Sequence, residues 1–283
     1  MKFRRIGDVT VSSIGLGAMP LSLAGRPDRE RAIATIHAAL DAGITLIDTA
    51  DAYTTDADGA GHNELLVAEA LRGRTEDVLV ATKGGLLFRD GGPWDRNGTP
   101  DHLKQAARQS RARLGVDAIG LYQLHRPDPG VPFEESIGAL RELLDEGVIR
   151  LAGISNVTVA QIVLADHILG GRLVSVQNQF SPAYRSSFGE LEYCLAHEIA
   201  FLPWSPLGGT GRGTEVFDEA SAFTAVATEL GVSPQRVALA WELSLGHCVI
   251  PIPGATRPET ITDSAGAAEL MLSADQRASL SAP

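Results

Sequence analysis

Cysteine is almost absent: Cys194 and Cys248 are the two in 283 residues. Two thiols give neither the disulfide framework of a small secreted domain nor a metal centre by themselves, so each reads as a small buried hydrophobe. The seven histidines are scattered, His125 has no partner at a ligand-like spacing, and no metal is expected. Long apolar runs are missing too, since none approaches the roughly twenty residues that cross a bilayer. Met1-Lys2-Phe3-Arg4-Arg5 is basic, but Gly7 and Asp8 follow where a signal peptide needs an apolar core. Positive charge is scarce: 24 Lys and Arg stand against 35 Asp and Glu, a formal net charge of −11. That balance argues against nucleic acid or an anionic membrane surface as a partner. The expectation is a cytoplasmic protein acting on a small molecule, a monomer or at most a weak homo-oligomer.

What the chain does have is apolar residues, 44% of the total, and 30 glycines. Short apolar runs at 14–17, 45–48, 78–82, 119–125, 149–155, 173–177, 199–205 and 248–252 read as buried parallel strands. Helical patterns at 28–42, 63–72, 100–114, 132–146, 157–169, 189–198, 220–230, 234–246 and 274–280 lie between and after them. Thr99-Pro100 and Ser233-Pro234 offer a capping hydroxyl followed by proline in the first turn. Gly43, Gly73, Gly115, Gly147 and Gly231 stand where helices should stop. About eight strand–helix units at roughly thirty residues each point to one (β/α)8 barrel over 1–283, since right-handed crossovers repeat until the sheet meets itself. An open doubly wound sheet is the competing arrangement, but no separate substrate domain or linker is visible. Residues 2–11, alternating around Gly7-Asp8, read as an N-terminal β-hairpin able to plug the bottom of the barrel.

In such a barrel the chemistry lies where strands end and βα loops begin. There the sequence places Asp48, Asp51 and Tyr53 (IDTADAY), Lys83 (ATKGG), His125 (QLHRPD), Ser155 and Asn156 (GISN), Gln177 and Asn178, and Trp204 and Ser205. Four of these form a chemical unit. A phenol of pKa about 10 gives up its proton slowly at neutral pH; a neighbouring ammonium lowers that value, and a buried carboxylate keeps the ammonium charged. An imidazole beside the phenol can orient a carbonyl oxygen or share the proton as pH changes. Tyr53, Lys83, Asp48 and His125 can thus protonate a developing alkoxide while hydride arrives at carbon. Taken singly, Lys83 could be an ion-pair partner, His125 a rim histidine, Asp48 a loop cap and Tyr53 an aromatic cover.

The ordered set GLGAM, DAGITLIDTADAY, ATKGG, LYQLHRPDP, GVIRLAGISN, QNQFSP and WSPLG resembles the aldo-keto reductase family over nearly the whole chain. The resemblance implies NADPH-dependent reduction of an aldehyde or ketone, with Tyr53 as general acid, Lys83 and Asp48 tuning it and His125 completing the tetrad. It also implies that Ser155, Asn156 and Gln177 hold the nicotinamide carboxamide. Trp204 stands where the family usually stacks a tyrosine under the nicotinamide ring. Ser205, Leu207 and Gly208 would follow the pyrophosphate. Gly17 and Met19 would line the cofactor cleft, with core packing the alternative for Met19. Gly15-Leu16-Gly17 is no Rossmann fingerprint, lacking the third glycine and an immediate helix start.

The departures from the family lie at the adenosine end. Gly254 and Ala255 replace its usual lysine and serine, Thr260 its arginine and Ser264 its asparagine. Arg257 could read a 2′-phosphate instead, or be a solvated charge at a helix start. NADPH is favoured and NADH stays possible. The loop 206–220 is short and glycine-rich, which predicts no clamp over the cofactor, and little chain follows 274–280 to close the pocket. Substrate contacts fall among Trp94, Phe88, Tyr184, Phe180 and Arg126, with Trp94 foremost and core packing its alternative. Three other functions compete: a sugar or alcohol dehydrogenase using NAD in reverse, a Schiff-base aldolase with Lys83 as nucleophile, and a cofactor-sensing regulatory subunit of a membrane channel. A carboxylate beside Lys83 argues against the aldolase, because it keeps the amine charged.

Overall fold

The computed structural model describes residues 1–55, 58–89, 94–209, 217–218 and 221–281. Strands β1 (Phe3–Ile6) and β2 (Val9–Ser12) pair antiparallel, with Ile6 opposite Val9. Then follow β3 (Leu16–Gly17), α1 (Arg29–Asp41), β4 (Leu46–Asp48), α2 (His62–Leu71) and β5 (Leu79–Gly84). A small antiparallel pair, β6 (Leu86–Leu87) and β7 (Asp95–Arg96), precedes α3 (Pro100–Leu114), β8 (Ile119–Leu124), α4 (Phe133–Asp145) and β9 (Ile149–Ser155). The chain continues through α5 (Val159–Leu169), β10 (Leu173–Gln177), α6 (Phe188–Ala196), β11 (Ala200–Phe201), α7 (Ala222–Leu230), α8 (Pro234–Ser244), α9 (Pro258–Ala265) and α10 (Ala274–Ser281).

Seven strands form one parallel sheet in the order β3-β4-β5-β8-β9-β10-β11. The segment after α8 closes it, bridging Phe201 through Val249 and Gly17 through Gly254. Ile250 and Ile252 donate their N–H groups to the carbonyls of Phe201 and Pro203, while Pro251 and Pro253 accept from Gly15 and Gly17. The fold is therefore a (β/α)8 barrel with an N-terminal hairpin. Two expected strands, 199–205 and 248–252, are mostly irregular. The reason is proline: Pro203, Pro251 and Pro253 have no N–H to give a ladder, so pairing survives as single bonds.

Glycine ends the helices as expected, with positive φ at Gly43, Gly73, Gly115, Gly147 and Gly231. Ser233 caps α8 by accepting from Arg236 N at 3.0 Å. Thr99 does not cap α3; its hydroxyl donates to Asn97 Oδ1 at 2.7 Å instead. The hydroxyl turns to the Asn97 side chain and accepts from no α3 N–H, which corrects the reading of Thr99-Pro100 as a capping pair. Cys194 and Cys248 are both free and buried.

Period-two alternation decides what the barrel contains. Leu46, Leu79, Ala81, Leu121, Leu151, Ala200, Leu202, Ile250 and Ile252 pack together as an interior cluster. Ile6 and Val11 of the hairpin join that cluster and plug one end. Gly7 at the hairpin turn, with φ +59°, lies so close to Val174 that a Cβ would approach its Cγ1 to 2.8 Å. Two residues further along the same inward faces the chain turns polar: Asp48 after Leu46, Lys83 after Ala81, Gln123 after Leu121, Ser155 beyond Leu151. Tyr122, Ile154 and Val176 point the other way and pack under the helices. We expect Leu121→Ala, in the middle of the interior layer, to lower stability by about 2–5 kcal/mol. A urea midpoint unchanged from the parent would contradict that packing.

Candidate active site

The polar end of the barrel is organised around one buried ion pair. Lys83 Nζ donates to Asp48 Oδ1 at 2.6 Å, to the Thr49 carbonyl at 2.9 Å and to Tyr53 Oη at 3.1 Å. Gln177 Nε2 donates to the other Asp48 oxygen at 2.7 Å, and Gln123 Nε2 approaches it at 3.5 Å. The loop after β4 brings Tyr53 back over Lys83, held by Asp51 N to the Lys83 carbonyl and Gly61 N to the Asp51 carbonyl. His125 sits edge-on to Tyr53, ring centroids 5.6 Å apart, and Trp94 stands 6.2 Å from Tyr53 and 6.4 Å from His125. The structure brings the four residues Asp48, Tyr53, Lys83 and His125 together as the strand ends implied.

Burial sets the protonation states. It pulls the Lys83 ammonium down, but Asp48 and then Tyr53 pull it up further, and the sum lies above the ordinary value. Burial likewise raises the Tyr53 phenol, and Lys83 opposes it without overcoming it. This corrects the expectation that the ammonium would bring the phenol below its ordinary pKa. Burial, reinforced by the fields of Lys83 and Arg126, drops His125 well below its ordinary value. The imidazole is therefore neutral through the physiological range. Among the described residues no group of three or more His, Cys, Asp or Glu is placed to hold a metal ion.

A cavity of about 600 Å³ opens above this cluster. Its wall includes Gly17, Met19, Ser155, Asn156, Gln177, Trp204, Ser205 and Leu207. Asn156 and Ser205 are non-glycine residues at positive φ, 60° and 52°. Asn156 holds its turn by donating to the His125 carbonyl at 3.0 Å and to Ser155 Oγ at 2.9 Å. Ser155 Oγ donates to the Gln177 carbonyl at 2.7 Å. Among the described residues these bonds leave Gln177 Oε1 uncommitted, an acceptor suited to a carboxamide N–H. Gly208 follows with φ +94° but is off the cavity wall, which Gly209 meets instead. Arg257 is off the cavity wall; it is exposed, at the N-cap position of α9, and no side-chain bond holds it among the described residues. Most of the glycine-rich loop expected to leave the cleft open, 210–216 and 219–220, lies outside the described residues.

On the substrate side Trp94 and Arg126 line the cavity as expected, and Phe88 supports Trp94 edge-on at 6.1 Å. Phe180 does not line it: it is buried in the core, stacked on Trp241 at 6.1 Å. Tyr184 is 42% exposed and also lies off the wall. Sequence reasoning missed two polar side chains. Gln123 was legible, because it alternates inward between Leu121 and His125. Arg96 was not, because β6 and β7 are two-residue strands with no usable period.

The model of the Aldo/keto reductase family matches residues 13–282. The chain belongs to this family and is an NAD(P)H-dependent oxidoreductase. It is 36% identical over 282 residues to an uncharacterized oxidoreductase of Schizosaccharomyces pombe, covering 98% of this chain and 88% of that one. It is also 36% identical over 280 residues to a 6-dehydroglucose reductase of Novosphingobium aromaticivorans, covering 94% and 90%. A crystal structure of an aldo/keto reductase from Klebsiella pneumoniae, in complex with NADP and acetate, superposes with a TM-score of 0.82 at 27% identity, covering 99% of this chain and 94% of that chain. Among the described residues no helix is long and apolar enough to cross a membrane.

Proposed function

We propose that this chain reduces an aldehyde or ketone to an alcohol with NADPH, Tyr53 acting as general acid. The observation that carries the reading is the contact of Lys83 Nζ with both Asp48 Oδ1, at 2.6 Å, and Tyr53 Oη, at 3.1 Å. An ammonium that donates to the phenol oxygen leaves the phenol hydrogen for another acceptor, and Tyr53 lines the cavity. There it meets the carbonyl oxygen, which His125 orients from the side. Asp48 holds Lys83 as ammonium, which speaks against a Schiff-base role for the amine. The Klebsiella enzyme in complex with NADP supports the choice of cofactor. Bound here, NADPH supplies hydride to the carbonyl carbon.

The residues present fit that cofactor. Ser155, Asn156 and Gln177 meet the carboxamide and Trp204 offers a ring face. Ser205, Leu207 and Gly208 follow the pyrophosphate, and Gly17 and Met19 line the cofactor cleft. Arg257, exposed at the start of α9, reads the 2′-phosphate. We take the chain as one barrel domain, cytoplasmic and monomeric or weakly associated. A carbonyl panel followed by loss of NADPH absorbance tests the reading, which fails if every aldehyde and ketone is left unchanged. An alcohol or sugar dehydrogenase running the same groups in reverse is the alternative, and the 2′-phosphate contact separates the two. Arg257→Ala should weaken NADPH by one to two decades, since a charge-assisted contact is worth roughly 1.5–3 kcal/mol, while NADH binding stays nearly unchanged. Titrating tryptophan fluorescence with each cofactor reads this directly, and equal losses would remove Arg257 from the phosphate.

A further inference from the structure

The catalytic cavity carries a surplus of positive charge that its own acids do not use. Four ionisable wall residues besides Tyr53 matter here: Asp48, His125, Arg96 and Arg126. Asp48 is spent on Lys83 and His125 is neutral, which leaves two guanidiniums. Neither has a carboxylate within ion-pair distance among the described residues. Arg126 donates to Asn156 Oδ1 at 3.0 Å, and Arg96 to the Pro127 carbonyl at 3.1 Å. Each spends one of five N–H donors on those bonds. The acids nearby are committed elsewhere. Asp95 pairs with Arg89 at 2.7 Å, and Asp128 accepts the N–H groups of Gly98 and Gly130 at 2.9 and 2.8 Å. Arg126 is half-buried, and burial followed by the field of Arg96 lowers its pKa. Two like charges facing one cavity, in a protein of net charge −11, raise each other's cost unless an anion sits between them.

Position tells which ligand they serve. Arg126 follows His125 directly, and Arg96 lies two residues after Trp94, the ring against Tyr53 and His125. Both line the same cavity as Tyr53, His125 and Trp94. We propose that the substrate is an anionic carbonyl compound whose carboxylate or phosphate is held by Arg96 and Arg126 while its carbonyl meets Tyr53. This rests on the reductase reading above and names its substrate class. The two guanidiniums are specificity-determining residues.

The test is a charge preference, read as a ratio so that any general loss cancels. For the carboxylate, kcat/KM for 4-formylbenzoate is divided by that for its methyl ester. For the phosphate, glyceraldehyde 3-phosphate is divided by glyceraldehyde. We expect at least one ratio to exceed about ten, and Arg96→Met and Arg126→Met each to lower it about ten- to a hundredfold. The larger ratio tells carboxylate from phosphate. Ratios near one in the parent, or unchanged in both variants, overturn the proposal. So does a loss of NADPH affinity without a change in ratio, which would hand the arginines to the cofactor. Tryptophan quenching by benzoate against benzamide reads the same preference without turnover: tighter benzoate that weakens in both variants supports it, and equal binding sinks it. No reduction of any of the four aldehydes defeats the reductase reading alone, and the benzoate titration still decides this one.

Discussion

Tyr53→Phe should lose between two and four orders of magnitude in turnover, the scale of a general acid, while NADPH still binds. The substitution removes one oxygen and little else. The ring keeps its edge contacts with Trp94 at 6.2 Å and His125 at 5.6 Å. Lys83 keeps Asp48 and the Thr49 carbonyl as acceptors, so no buried charge is stranded. That makes the variant cleaner than Lys83→Met, which leaves the Asp48 carboxylate buried without its cation at a cost of about 3–5 kcal/mol. The pH profile carries a second signature. Burial keeps the phenol above its ordinary value, so it remains a proton donor through the neutral range, and the rate of reduction falls only at pH above the ordinary phenol range. His125, held well below its ordinary value, contributes no step near pH 6.5. A folded Tyr53→Phe protein turning over near the parental rate would remove Tyr53 from the acid role.

The barrel could be read from the sequence because its strands are short apolar runs and its helices end on glycine. Five of the strand positions, from 45–48 through 173–177, match the observed β4, β5, β8, β9 and β10 to within a few residues. Where the reading loosened, proline was the cause: 199–205 and 248–252 are apolar enough for strands but cannot donate the N–H groups a ladder needs. The site followed the strands. Asp48, Lys83, His125, Ser155 and Gln177 stand at or next to strand ends, so finding the strand found the residue. Tyr53 lies five residues beyond Asp48 on a loop; it was read from the polar run that leaves the strand, and its acid role came from the family motif. Phe180 and Tyr184 went wrong for the same reason in reverse, since nothing in a loop sequence says which aromatic turns inward. The direction of the Tyr53 shift was also out of reach. The groups around it were visible, but its sign depends on how far burial outweighs Lys83, a property of the folded cavity.

Replacing Glu242 by leucine should stabilise the protein, and the gain should grow with pH. Glu242 lies on α8 among Val237, Ala238, Leu239, Ala240 and Trp241, all buried. It is itself fully buried, and neither carboxyl oxygen has a hydrogen-bond partner among the described residues. Burying such a group unpaired costs about 1–3 kcal/mol even when neutral. Burial pushes its pKa well above the ordinary 4.5, so the folded chain keeps a proton that the unfolded chain has lost. A group raised in this way contributes its full stability below pH 4.5, and that contribution drains as pH climbs toward the folded value, by up to about 1.4 kcal/mol per pH unit. Asp51, pushed up to about 8 by burial and then by Glu64, adds a second loss over the same window. Glu242→Leu removes one of the two slopes and keeps the other. Urea unfolding at pH 5 and pH 8 should therefore show a modest advantage for the variant at the lower pH and a larger one at the higher. Parallel pH dependence in parent and variant would mean that Glu242 is already ionised in the folded protein, with a cation or water reaching it.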